Sequence, residues 1–317
     1  MLNRRHLRIK VLQALYAFYR SDGNDYSAGE KELFFGINKI YEMYIFYLLL
    51  FGELIAFAEF RIEENKKKQM PSEADLNPNM KFVDNKIFSF LFRNKMLKEA
   101  SVSHKINWLG VGEKNLVRKL YYQILEDELY LEFMATESSS LDEDRVFALK
   151  IFKKVIANFD QIHNYFEEKS IYWNDDIDFT CSMVLKTIKT FHEETDKNSP
   201  ILALYKDESD EKEFARMLFR RSIMNDEANQ AIIQKYSKNW EIERIALMDT
   251  LLMKIALTEA QEFETIPLKV TLNEYIDISK FYSTPKSNGF INGILDKAFH
   301  DMMESGDIKK VGRGLIG

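Results

Sequence analysis

Residues 4 to 20 read RRHLRIKVLQALYAFYR. Leu7, Val11, Leu15 and Phe18 recur at i, i+4, i+8 and i+11, the rhythm that lines one face of an α-helix. The spacing predicts a helix over 5–19 that buries leucines and carries arginines at its start. Extended outward, the same rhythm predicts helices over about 31–67, 82–99, 113–134, 143–168, 174–193, 210–237, 241–263, 269–282 and 288–304. Between them lie polar breaks: SDGNDYSAGE, the proline-containing KKKQMPSEADLNPN, and HEETDKNSP, which ends at Pro200. The punctuation agrees. The 317 residues hold five prolines and twelve glycines, with no proline between Pro78 and Pro200. Proline costs roughly 3 kcal/mol in a helix interior and glycine about 1, so their scarcity implies an all-α chain and argues against α/β or all-β folds.

At 37.4 kDa the chain is long enough for two or three packed layers or domains. Its 46% apolar and 30% charged content suits a soluble globular protein. The single cysteine, Cys181, excludes an intrachain disulfide framework and makes a reducing cytoplasm the natural compartment. The apolar run YIFYLLLFGELIAFA, 44–58, is interrupted by Glu53 and flanked by Glu42 and Glu59, so it reads as a buried core helix and not a bilayer span. The N-terminus has basic residues but no apolar stretch of the secretory kind. Five scattered histidines write no zinc site. Gly110-Val111-Gly112 lacks the third glycine of a dinucleotide loop, and the acidic cluster Asn174–Asp178 lacks the glycine of a calcium loop. No enzyme, metal or cofactor is expected.

An internal pattern repeats at an offset of 67. Phe147, Ala148, Phe152, Lys153, Lys154, Ile156, Asn158, Ser170, Trp173, Leu185 and Ile188 fall on Phe214, Ala215, Phe219, Arg220, Arg221, Ile223, Asn225, Ser237, Trp240, Leu252 and Ile255. Either two amphipathic helices share a 3.6-residue rhythm by chance, or a helix-helix unit is duplicated, its first copy at 143–193. Charge is also unevenly placed. The total of −6 divides into +5 over residues 1–20, −8 over 21–199 and −3 over 200–317. A basic arm on an acidic body can hold phosphate locally while the remainder repels other polyanions.

Four blocks, in order, carry a family resemblance: Arg4 to Tyr16, NWEIERIALMDTLLMKIALTEAQEF, IPLKVTLNEYIDISKFYS and NGFINGILDKAF. They resemble the first helix and the three C-terminal helical blocks of the NusB family of transcription antitermination factors. The most specific stretches are Leu272-Asn273-Glu274, Ser279-Lys280 and Phe290 to Asp296. The likeness covers about 1–20 and 205–305, so residues 21–204 are expected to be a helical insertion after the first helix, and 306–317 a loose tail. The resemblance implies an all-helical bundle that binds single-stranded boxA-like ribosomal RNA with the small-subunit ribosomal protein NusE, as part of an RNA polymerase antitermination complex. It places Arg4, Arg5 and Arg8 on phosphate, where arginine's planar fork suits the task. Tyr16 and Phe290 fall on the family's aromatic RNA face, the alternative for both being core packing. Asn292 is expected on RNA or on backbone, and Gly293 at a close helix packing point. Glu243, Arg244 and Asp249 are expected either to touch the protein partner or, for Arg244 and Asp249, to pair with each other.

The segment Pro285-Lys286-Ser287-Asn288-Gly289 departs from the family pattern, with lysine at an acidic position and glycine at a basic one. Lys286 is therefore expected to replace the displaced phosphate contact. Two other readings fit: a helical protein-interaction scaffold in which the insertion recruits another factor, and a helper domain of an RNA-modifying enzyme. The second lacks any cofactor loop.

Overall fold

The computed structural model describes residues 1–21, 25–137, 140–237 and 245–315. Among these the chain is all helical: α1 Arg4–Arg20, α2 Tyr26–Lys66, α3 Glu73–Leu76, α4 Lys86–Arg93, α5 Lys95–His104, α6 Val111–Glu126, α7 Glu128–Ala135, α8 Leu141–Ile151, α9 Asp160–Lys169, α10 Ile177–Thr190, α11 Glu208–Met224, α12 Asp226–Tyr236, α13 Leu247–Glu262, α14 Leu268–Tyr282 and α15 Ser287–Ser305. Two compact units result. One is Met1 with 38–204, and the other is 2–37 with 205–317. The second unit thus keeps α1 and the start of α2 with the C-terminal third of the chain.

In the 38–204 unit, α2 supplies the spine. It is long and apolar enough to cross a membrane, yet 67% of its most apolar window is buried inside the protein. A helix apolar on all sides is covered on all sides. Phe51 packs against Phe88 and Phe152, and Trp108 and Trp173 each satisfy their indole N–H on an α2 carbonyl, Phe46 at 3.0 Å and Lys39 at 2.6 Å. Several long sequence patterns split at polar residues. Asn94 separates α4 from α5 and accepts the Leu97 N–H, and Asp127 separates α6 from α7 and accepts the Leu129 N–H. After α8 a single π turn, Phe152–Ile156, widens the helix, and the Asn158 side chain caps it on the Lys153 and Lys154 carbonyls.

In the other unit, α13 is the axis. Leu251 to Ala260 are buried without a break, and α1, α11, α12, α14 and α15 pack around them. α11 lies at an offset of 67 from the start of α8, and Phe214, Ala215, Phe219 and Ile223 are buried here as Phe147, Ala148, Phe152 and Ile156 are in the first unit. Asn225, like Asn158, marks the break between helices. Trp240 lies outside the described residues. The start of α2 crosses α11 closely: a Cβ on Gly29 would sit 2.7 Å from the Phe219 ring, and Glu30 accepts from Arg216 and Arg220.

The tail expected to be loose is held. After Gly306 caps α15 in the left-handed region, Ile308 is buried, Lys310 Nζ donates to the Phe263 carbonyl at 2.9 Å and the Val311 N–H donates to the Glu264 carbonyl at 3.0 Å.

Candidate nucleic-acid interface

Asn3 caps α1 by accepting the His6 N–H at 3.1 Å, which fixes where the arginines emerge. Arg4 donates to Asp210 at 2.7 Å and lies 4.0 Å over the Phe214 ring. Arg5 holds Glu274 with Nε and Nη2, both at 2.9 Å, and reaches Asp277 at 3.1 Å. The hydrogen bond to Glu274 raises the Arg5 pKa, so the group stays a cation. Both side chains remain about two-fifths exposed, at 37% and 42%. Pairs this wet are weak and can exchange for phosphate.

Arg8 differs from the expectation that it contacts phosphate. It is buried, with Nε and Nη2 each 2.7 Å from Glu259, which is itself fully buried. Thr271 and Tyr275 donate to the same carboxylate at 2.9 and 3.0 Å. Burial alone would lower the Arg8 pKa, but the hydrogen bonds to Glu259 more than offset it and the pKa is raised. Arg8 therefore ties α1 to α13 and α14 and aims its neighbours. Lys10 is also buried. Burial, with Arg5 and Lys10 nearby, pushes His6 down to about 4, so it adds no charge to the arm at neutral pH. Three of the five formal cations, Arg4, Arg5 and Arg20, reach solvent.

Tyr16 is 37% exposed, with the Arg20 guanidinium 5.5 Å over its ring. One turn earlier Gln13 donates to the Tyr282 hydroxyl at 3.3 Å, which brings this face of α1 to the end of α14. The turn from α14 to α15 carries Lys286, exposed, and leads to Phe290, half-buried, and Asn292, exposed. Two further expectations change. Gly293 is no packing point, because a Cβ built there meets nothing within 4 Å, and the same holds for Gly289. Asp249 is buried and accepts the Ser283 and Ser287 hydroxyls, the latter at 2.7 Å, so it anchors the turn and is not available to a partner. Glu243 and Arg244 lie outside the described residues.

On the other flank of α1 an open groove of about 990 Å³ runs between the start of α1, the first turns of α14 and the tail. Its lining holds five cations, Arg4, Arg5, Arg8, Lys269 and Arg313, and one acid, Glu274.

Residues 176–300 match the model of the NusB family. Three curated relatives, each named transcription antitermination protein NusB, align with the chain. That of Salinibacter ruber is 45% identical over 106 residues, 33% of this chain and 66% of the relative. The protein of Chloroherpeton thalassium is 40% identical over 105 residues, 33% of this chain and 50% of the relative, and that of Alkaliphilus oremlandii is 36% identical over 90, covering 28% and 65%. The chain carries a NusB family domain. The matches span between half and two thirds of each relative's length. No solved structure matches the chain. The NusB match takes in α10 to α15 and leaves out α1, whose likeness rests on its own residues. Sequence reading missed Glu259, Lys269 and Arg313. The signal for Glu259 is the one acid in the largely apolar block LLMKIALTEA.

Proposed function

We propose that this chain is an RNA-binding transcription antitermination factor of the cytoplasm, gripping boxA-like ribosomal RNA leaders together with a NusE-type ribosomal protein in an RNA polymerase antitermination complex. One observation carries the reading: the stretch that matches the NusB family carries the exposed Lys286 and the half-buried ring of Phe290, and α1 adds the part-exposed cations Arg4 and Arg5 and the exposed ring of Tyr16. Cations hold the phosphates of a single strand and rings stack under its unpaired bases. Asn292 lies on α15 between Gly289 and Gly293, where bare helix backbone leaves room for a close neighbour. Arg8 contributes by positioning Arg4 and Arg5 through Glu259.

The test is fluorescence anisotropy with labelled boxA-like RNA and the NusE-type partner over a salt series. Replacing Arg4 and Arg5 by alanine is expected to flatten the slope of log K against log salt by about 1.4, at roughly 0.7 per phosphate. Tyr16→Ala should cost about 1 to 3 kcal/mol of binding with the slope intact. Unchanged binding in both variants sinks the proposal.

A further inference from the structure

Resting on that RNA reading, we propose that the groove between α1, α14 and the folded-back tail is a second phosphate track, in which Lys269 and Arg313 hold the RNA backbone beyond Arg4 and Arg5. The first argument is charge. Glu274, the one acid of the lining, is occupied by Arg5 and reached by Arg8 at 3.4 Å, while Arg4 has Asp210. Lys269 and Arg313 are exposed and have no ion-pair partner among the described residues. Two cations left without a carboxylate in a groove already lined by arginines produce a local positive field, and walls of low dielectric focus it.

The second argument is how Arg313 is presented. It sits between two glycines in the turn Gly312–Leu315. Gly312 has φ +53, a left-handed conformation that L side chains rarely adopt. A Cβ on Gly314 would lie 2.0 Å from the Glu264 carbonyl oxygen, so only glycine lets the tail approach the α13 to α14 turn this closely. The Gly314 N–H closes the turn on Val311, which is itself bonded to Glu264. The tail is thus seated against the body with its arginine on the groove.

The third argument is what the lining lacks. Among the described residues no aromatic ring lines it, and its remaining donors include Asn3 and Asn273. Its cations and amides can hold backbone, and the aliphatic Ile266, Pro267 and Val270 give no ring on which a base could stack. Phosphate contacts fix register and add affinity without reading sequence. The track therefore strengthens binding uniformly, and base selection falls to the Tyr16 and Phe290 face.

The experiment uses the full chain with its partner, titrated with boxA-like RNA and with a scrambled RNA of equal length, from 50 to 200 mM salt. Lys269→Ala and Arg313→Ala alter exposed side chains and should leave the melting temperature unchanged. A slope of 0.7 per phosphate corresponds to about fivefold in affinity per contact at 0.1 M salt relative to 1 M. Each variant should therefore weaken both RNAs about fivefold, and the double variant should flatten the slope by about 1.4. Loss confined to the boxA-like RNA would overturn the track, since it would mean base readout. So would wild-type affinity and slope in the double variant, and if Arg4→Ala still weakens binding in that same series, the RNA reading survives alone. A wild-type chain that binds neither RNA overturns both.

Discussion

The two units solve burial differently. In the 38–204 unit the buried polar residues among those described include no cation, and three of them serve helix starts: Asn85 and Asn94 cap α4 and α5, and Asp144 accepts the Lys86 N–H in the first turn of α4. In the other unit, 2–37 with 205–317, the described buried residues include Arg8, Lys10, Lys254 and Lys310 beside Glu211, Asp249 and Glu259. One interior is an aromatic core with capped helix ends. The other is cross-linked by ions whose partners are far apart in sequence, Arg8 and Glu259 by 251 residues. Such an interior gains little net stability from its charges, because desolvation opposes the attraction, but it fixes geometry and punishes any unpaired member. That is what a surface needs if its arginines are to stand at set positions.

The largest expected effect breaks this contrast most directly. Glu259→Gln keeps the shape but leaves Arg8 buried beside a neutral group, and should cost about 3 to 5 kcal/mol in denaturant unfolding. The matched change in the other unit is Asp144→Asn. Burial raises the Asp144 pKa, its carboxylate accepts the Lys86 N–H, and no buried cation of this unit is stranded by the change, so the loss should be about 1 kcal/mol. Similar costs for the two would remove the contrast.

The next effect is pH dependence within the arm. His6 falls from an ordinary value of 6.5 to about 4, chiefly through burial and secondarily through Arg5 and Lys10. A depressed pKa means the unfolded chain binds the extra proton first, so the contribution is complete above about pH 6.5 and is lost as pH falls toward 4. It amounts to about 3 kcal/mol. Stability of His6→Gln measured over that range should be flatter than wild type by this amount, and parallel curves would contradict the burial argument.

How much of this is legible in sequence follows from the same contrast. Apolar rhythm and the rarity of proline give helices of the right type at nearly the right places: 5–19 became Arg4–Arg20 and 269–282 became Leu268–Tyr282. The breaks at Asn94, Asp127 and Asn225 were invisible because apolar periodicity runs through them, and a cap differs from an exposed polar residue only once its N–H partner is known. In the NusB domain the family blocks mark the helices but not which charges are buried. Arg5 and Arg8 read alike as arm cations, yet one is part-exposed and the other closes on an acid 251 residues away in sequence. The held tail was equally hidden, since IKKVGRG looks like any polar terminus until Gly314 meets Glu264.

The smallest expected effect separates the units by function. Gly112 in α6 and Gly293 in α15 are both helical, and a Cβ at either meets nothing within 4 Å. Alanine is the better helix former, so each glycine-to-alanine change should stabilise its helix, by up to about 1 kcal/mol for Gly293 and less for Gly112 near its helix start. Nothing inside the fold explains why α15 carries that cost at Gly293. If its open face is kept bare for close approach by RNA or the protein partner, Gly293→Ala will raise the melting temperature and weaken the complex together. Gly112→Ala, on the 38–204 unit, should raise the melting temperature slightly and leave RNA binding untouched. A Gly293→Ala chain that is both more stable and fully competent to bind would move the interface away from this face of α15 and onto α1 and its groove.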